Sequence, residues 1–135
     1  MSSQSSRKLL SPSELHPAPG FNHVAIKEGS TLVSVAGQVA LDHDFSVIAP
    51  GDLAEQTRVI MRNIAVALEA AGATWDDVIR RTIYTLHPTE FAVITEAIES
   101  VQGASEHPAQ TIVGVTGLAV EGLLIEIEVT ALLSH

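Results

Sequence analysis

Cysteine does not occur in this chain. Its absence excludes disulfide staples, thiolate nucleophiles and Cys-ligated zinc. Aromatic residues are few: Phe21, Phe45, Trp75, Tyr84 and Phe91 make up 4% of the sequence and are scattered along it. A platform for stacking bases needs them clustered. Cations are scarce too, 7 Lys and Arg against 16 Asp and Glu, for a net charge of −9. A chain this acidic repels phosphate backbones, so nucleic acid is not an expected partner. No apolar run approaches the ~18–20 residues of a membrane span, so no membrane association is expected. The opening "MSSQSSRKLLSPSELHP" lacks the apolar core and small-residue cleavage site of a secretory signal, which makes a cytoplasmic location the default expectation. No GxGxxG or P-loop occurs, and neither does the GxSxG elbow that presents a nucleophilic serine. "GVTG" (Gly114 to Gly117) is too short for a phosphate cradle and reads as a turn. His16, His23, His43, His87, His107 and His135 show no metal-ligand spacing such as HExxH. They read as surface or loop residues, and neither a metal nor a cofactor is expected.

What is present is globular. The 135 residues are 46% hydrophobic and 17% charged, enough for one domain with a real core. Residues 1–15, Ser-rich and holding Pro12, read as a flexible N-terminal tail; residues 16–135 read as a single domain whose order starts near Pro19-Gly20. "FNHVAIKEG" and "TLVSVAG" read as two strands joined by a hairpin turn at Gly29-Ser30. Asp52 has the chemistry of an N-cap, with Glu55 three residues on as in a capping box. Ile60, Ile64, Ala67, Leu68 and Ala71 then recur at helical spacing, and Gly72 closes the helix. A β-branched strand follows from about Val78. "PTEFAVITEAIESV" predicts a second helix with Phe91, Ile94 and Ile98 on one face. "AQTIVGVTGL" and "LLIEIEVTALL" supply two last strands.

The resulting order, β-β-α-β-α-β-β, implies an α+β sandwich with two helices on one face of a mixed sheet. "TIVGV" and "LVSVAG" put apolar residues on both alternations, so the second sheet face needs a cover. Another subunit is the economical one, and an oligomer is expected.

"IEIE" is the most informative local pattern. A strand repeats every two residues, so Glu126 and Glu128 share one face with Leu124 and Thr130, while Ile125, Ile127 and Val129 share the other. A carboxylate on an otherwise apolar strand can serve as a general acid/base. From spacing alone, a solvated face or an interfacial ion pair is the commoner outcome. Arg80 and Arg81, adjacent on a strand, point to opposite faces. One of them can reach a pocket, although such residues usually sit on a rim. Asn63, a poor helix former in mid-helix, either bonds a neighbouring loop or faces water.

"GQVALD", "NIAVALEAAGATWDDVIRRTIYTL", "HPAQTIVGV" and "LLIEIEVTALL", in this order and spacing, together resemble the RidA (YjgF/YER057c/UK114) family from about Pro19 to Leu132. The resemblance implies a chorismate-mutase-like fold, a homotrimer and small-molecule pockets in the clefts between subunits. It also implies hydrolysis of reactive enamines and imines to a keto acid and ammonia. In the family an Arg of a "PAR[ST]" motif binds the substrate carboxylate, and a Glu of the "IEIE" strand supports hydrolysis. Carried onto this chain, the catalytic position falls on Glu126 and the substrate-binding positions on Phe21, Gly37, Thr95 and Gln110. Phe21 keeps the ring of a frequent Tyr without its hydroxyl, and Thr95 stands where Asn is common. Gln110 stands where the Arg belongs. A guanidinium offers a carboxylate a charged bidentate fork; an amide offers two N–H groups and no charge. The difference, ~2–3 kcal/mol, corresponds to roughly 30–150-fold in turnover efficiency. The chain is therefore expected to be a weak 2-imino acid deaminase that binds or hydrolyses some other small imine- or enamine-type metabolite. A non-enzymatic metabolite sensor or chaperone-like module is the alternative expectation. Ribonuclease or translation-inhibitor activity, a label attached to the family, sits poorly with the charge.

Overall fold

The structure, a computed structural model, describes residues 6–134. Six strands and two helices follow one another as β1 (Lys8–Leu10), β2 (Val24–Ile26), β3 (Thr31–Gln38), α1 (Leu53–Ala70), β4 (Val78–Thr85), α2 (Phe91–Gln102), β5 (Ala109–Gly114) and β6 (Ile125–Leu133), with a short 3-10 turn at Trp75–Asp77 before β4. The main sheet has the order β3-β6-β4-β5. Its β4–β5 pair is parallel, and β3–β6 and β4–β6 are antiparallel. Both helices pack on one face of this mixed sheet, the α+β architecture expected.

β6 is the axis of the core. Ile125, Ile127, Val129, Ala131 and Leu133 are all buried toward the helices, while Glu126, Glu128, Thr130 and Leu132 alternate onto the other face. Against the buried row lie Ile60, Met61, Ile64 and Leu68 of α1, and Ile94, Ala97 and Ile98 of α2. Each such side chain contributes about 1.5–3 kcal/mol on leaving water. The α1 start is capped as its sequence predicts: the Asp52 carboxylate accepts from the Glu55 amide at 2.9 Å. Glu55 does not return the bond but pairs with Arg58 at 2.7 Å. At the other end Gly72 takes a φ of +76°, and the amides of Ala73 and Gly72 bond the carbonyls of Leu68 and Glu69.

Three expectations are corrected. The Gly29-Ser30 hairpin does not form: β2 pairs with β1, and β3 pairs with β6. Gly29 is needed for another reason, since a Cβ there would stand 2.5 Å from the Leu133 carbonyl oxygen. The second correction concerns residues 1–15. Met1 to Ser5 lie outside the described residues, but Lys8–Leu10 is a docked strand, not a tail. Arg7 fixes it by donating to the carbonyls of Val78 at 2.6 Å and Glu106 at 2.5 Å. Third, α2 starts at Phe91 and Phe91 itself is 47% exposed, outside the core.

The far face of the sheet is mixed in character. It carries Leu32, which is 67% exposed, together with Arg80, Thr111, Glu128 and Thr130. Arg80 donates to the Thr111 hydroxyl across that face at 2.6 Å.

Candidate functional site

A cavity of about 390 Å³ opens at the edge of β5. Pro88, Phe91 and Thr95 wall it from α2 and its lead-in, and Gln110 and Ile112 from β5. His16, Pro17, Pro19 and Phe21 close the remaining side. The segment carrying these last four is held beside β5 by Asn22. Its amide nitrogen donates to the Pro108 carbonyl at 3.0 Å, and its side chain donates to the His107 carbonyl at 2.7 Å. Gly20 makes the bend possible. Its φ is +79°, and a Cβ would stand 2.6 Å from the Thr95 hydroxyl.

Behind Gln110 lies a cation. Arg81 is the register partner of Gln110 on the neighbouring parallel strand and is only 2% exposed. Its Nε donates to the Gln110 amide oxygen at 2.5 Å, and its other nitrogens donate to Gln102 at 3.3 Å, the Gly20 carbonyl at 3.1 Å and His107 Nδ1 at 2.9 Å. Removal from water pulls the guanidinium down to about 9, helped by the repulsion of Arg7 and opposed by Glu99, so it stays charged at neutral pH. His107 Nδ1 faces donors from both Arg81 and Gln102, so it is the unprotonated nitrogen, and Nε2–H donates to Glu99 at 2.7 Å. Burial lowers the His107 pKa first, with Glu99 pulling the other way.

This network fixes the orientation of Gln110. Its oxygen is committed to Arg81, which leaves its NH₂ as the group offered to the cavity. An amide whose oxygen bonds a cation is a stronger donor than a free one. Sequence left open whether Arg80 or Arg81 approaches the pocket. Arg81 does so, one layer back, while Arg80 lies on the opposite face. A β-bulge between Val78 and Arg80 lets Val78 and Arg81 both face inward, and no composition signal marks it. His107, read as a surface residue, is instead half-buried between Glu99 and Arg81.

The other two predicted residues meet elsewhere. Gly37 lies inside β3 at a register shift between Val35 and Gln38, not in a turn. The Glu126 carboxylate rests against its backbone where a Cβ would be, so any larger residue at position 37 displaces it. Glu126 pairs in register with Tyr84 on β4, three residues from Arg81 and so on the opposite face. Phe21, Thr95 and Gln110 thus share one cavity, and Gly37 and Glu126 share a spot across the sheet. A single chain does not bring the two sets together. Asn63, on α1, donates to the Val39 carbonyl at 3.4 Å, the loop bond that sequence allowed. Among the described residues no three His, Asp or Glu side chains converge as metal ligands, and no helix is long and apolar enough to cross a membrane.

A fold of two helices on one face of a mixed sheet, with an edge cavity and a carboxylate across it, has counterparts. The family profile described as Endoribonuclease L-PSP matches residues 11–133. A RutC family protein of Pyrococcus horikoshii is 40% identical over 107 residues, 79% of this chain and 82% of the relative. The rat protein named 2-iminobutanoate/2-iminopropanoate deaminase is 29% identical over 126 residues, 93% of this chain and 89% of its own. Among solved structures, the Rid-family protein YyfB of Yersinia pestis superposes with a TM-score of 0.86 at 32% identity, covering 94% of this chain and 98% of that one. The chain belongs to the RidA, or YjgF/YER057c/UK114, family.

Proposed function

We propose that this protein assembles as a trimer. In it the cavity of one copy is completed by Glu126 of a neighbour, and the joined site binds and hydrolyses a small imine- or enamine-type metabolite. The observation that carries this reading is the separation described above: the polar donor and ring wall lie on one side of the sheet, the carboxylate on the other. A second copy is the simplest way to unite them. The exposed Leu32 on the carboxylate side gives such a copy an apolar contact. Gln110 donates to an oxygen of the ligand, Phe21 and Phe91 flank its apolar part, and Glu126 orients the attacking water. The pairing of relatives with a deaminase name supports the reaction class.

With the amide interposed, Arg81 lends polarity to the site but gives no ion pair to a ligand carboxylate. Activity on 2-imino acids should therefore be weak. Ammonia release from 2-iminopropanoate is expected roughly 30–150-fold below that of the rat deaminase, the equivalent of ~2–3 kcal/mol. Equal activity would refute the loss of charge as a selector. Size-exclusion chromatography with light scattering should give three times the 14.3 kDa of one chain, and a monomer would remove the shared site. Cleavage of RNA is disfavoured by the net charge of −9 and by the two Glu of the open face. Binding of RNA that persists at about 0.2 M salt would revive it.

A further inference from the structure

Among the described residues that line the edge cavity, only His16 carries a basic nitrogen; the others are Pro, Phe, Thr, Gln and Ile. We propose that His16 is the acid/base group of this cavity, moving protons for hydrolysis of the bound imine; this rests on the reading that the cavity binds such a ligand. In the sequence His16 reads as a surface or loop residue, because it has no partner at a telling spacing.

Geometry supports the assignment twice. First, the tautomer is fixed. His16 Nδ1 lies 2.8 Å from the Pro17 carbonyl, which only accepts, so Nδ1 carries the hydrogen and Nε2 the lone pair. No hydrogen bond among the described residues occupies Nε2. Second, the ring is held in place. It packs edge-on against His23 at 4.7 Å and 71° and lies 6.3 Å from Phe21. His23 Nε2 in turn donates to the His16 carbonyl at 2.8 Å, locking the backbone that carries the ring. An imidazole in a cavity wall, with Nδ1 facing a carbonyl and Nε2 without a partner among the described residues, has the arrangement that general base catalysis requires.

The steps balance with water as the only co-reactant. His16 Nε2 takes a proton from water as the oxygen bonds the imine carbon. The C=N π pair moves to nitrogen, and the imidazolium returns its proton there, giving a carbinolamine. His16 then takes the hydroxyl proton as C=O forms and the C–N bond breaks. It delivers that proton to the departing nitrogen, which leaves as ammonia. Glu126 of a neighbouring copy would hold the water, so the two groups divide the work.

The groups facing His16 are few. His23 stands beside it at the β2 end, α2 contributes the neutral Phe91 and Thr95, and β5 contributes Gln110, with Arg81 behind. Glu126 would enter only from a second copy. His16 and His23 are therefore told apart by single variants of each.

The test combines side-chain NMR with kinetics on the full chain. Nitrogen-15 spectra should show His16 as the Nδ1–H tautomer, and the neutral carbonyl probe pyruvamide should shift both the His16 Nε2 and the Gln110 side-chain amide. At high enzyme concentration, His16→Gln should lower kcat on 2-iminopropanoate by about 100-fold or more, the usual size of a general-base effect, with KM within about 3-fold and the imidazole limb lost. His23→Gln should keep that limb, and His43→Gln, on the surface, should change nothing. If the Gln110 amide shifts while His16 does not, or His16→Gln retains kcat, the binding reading survives and the role of His16 is overturned. If neither group shifts and ammonia forms no faster than without enzyme, the binding reading falls and takes His16 with it.

Discussion

Arg80 and Arg81 are consecutive residues of β4, yet one donates to a threonine on an open sheet face and the other is walled in by four acceptors beneath α2. The helix-covered face satisfies every polar group it buries, since no buried side-chain nitrogen or oxygen among the described residues lacks a partner. On the open face, the Glu126 carboxylate has no hydrogen bond or ion pair among those residues. The covered side is built for rigidity around a charge, and the other leaves a charge available. That contrast is what a site shared between copies needs: a stiff donor wall and an unspent carboxylate.

The largest test of the contrast is Arg81→Ala against Arg80→Ala. Removing Arg81 strands Gln110, Gln102, His107 and the Gly20 carbonyl. The expected loss is about 3 kcal/mol, because bonds to a charged group are strong and their buried partners are left unpaired. Arg80→Ala should cost within ~0.5 kcal/mol. Urea unfolding decides, and equal midpoints would erase the distinction between the faces.

A smaller effect separates two glycines. Gly29→Ala drives a methyl into the Leu133 backbone, which cannot yield, and should cost about 2 kcal/mol. Gly37→Ala meets only the end of the flexible Glu126 side chain. Its stability cost should stay within ~1 kcal/mol, while the carboxylate moves and any hydrolysis falls with it. Thermal melts paired with an ammonia assay resolve the two.

The smallest is a pH dependence. His107 holds a lowered pKa in the folded chain, so below the ordinary value of about 6.5 the unfolded chain binds the extra proton first. This contribution to stability is therefore full above that value and shrinks as pH falls through it toward the lowered folded value. The unfolding midpoint should drop between pH 7 and 5, and His107→Gln should flatten that part of the slope. An unchanged slope would mean that the Glu99 pull cancels burial, and a steeper one that it dominates.

Much of the fold could be read from local rules. The alternation of Ile125 to Leu133 named both faces of β6, and Asp52 and Gly72 marked the ends of α1, because caps and periodicity are local. The failed hairpin shows the limit. Two strands in succession with a Gly-Ser between them satisfy every local rule for a turn, and only the competing β1–β2 and β3–β6 pairings decide otherwise. The site was legible by halves. Phe21, Thr95 and Gln110 did converge, as did Gly37 with Glu126. The distance between the two groups, the bulge that turns Arg81 inward and the carbonyl that fixes the His16 ring are tertiary facts with no spacing to announce them.

The anchoring of Arg7 to the Val78 and Glu106 carbonyls has a practical side. The stretch it tethers runs on to form one wall of the cavity. Trimming residues ahead of Ser11, or fusing a bulky tag there, is thus an alteration of the cavity wall and not a neutral convenience, and any assay of this protein inherits that choice.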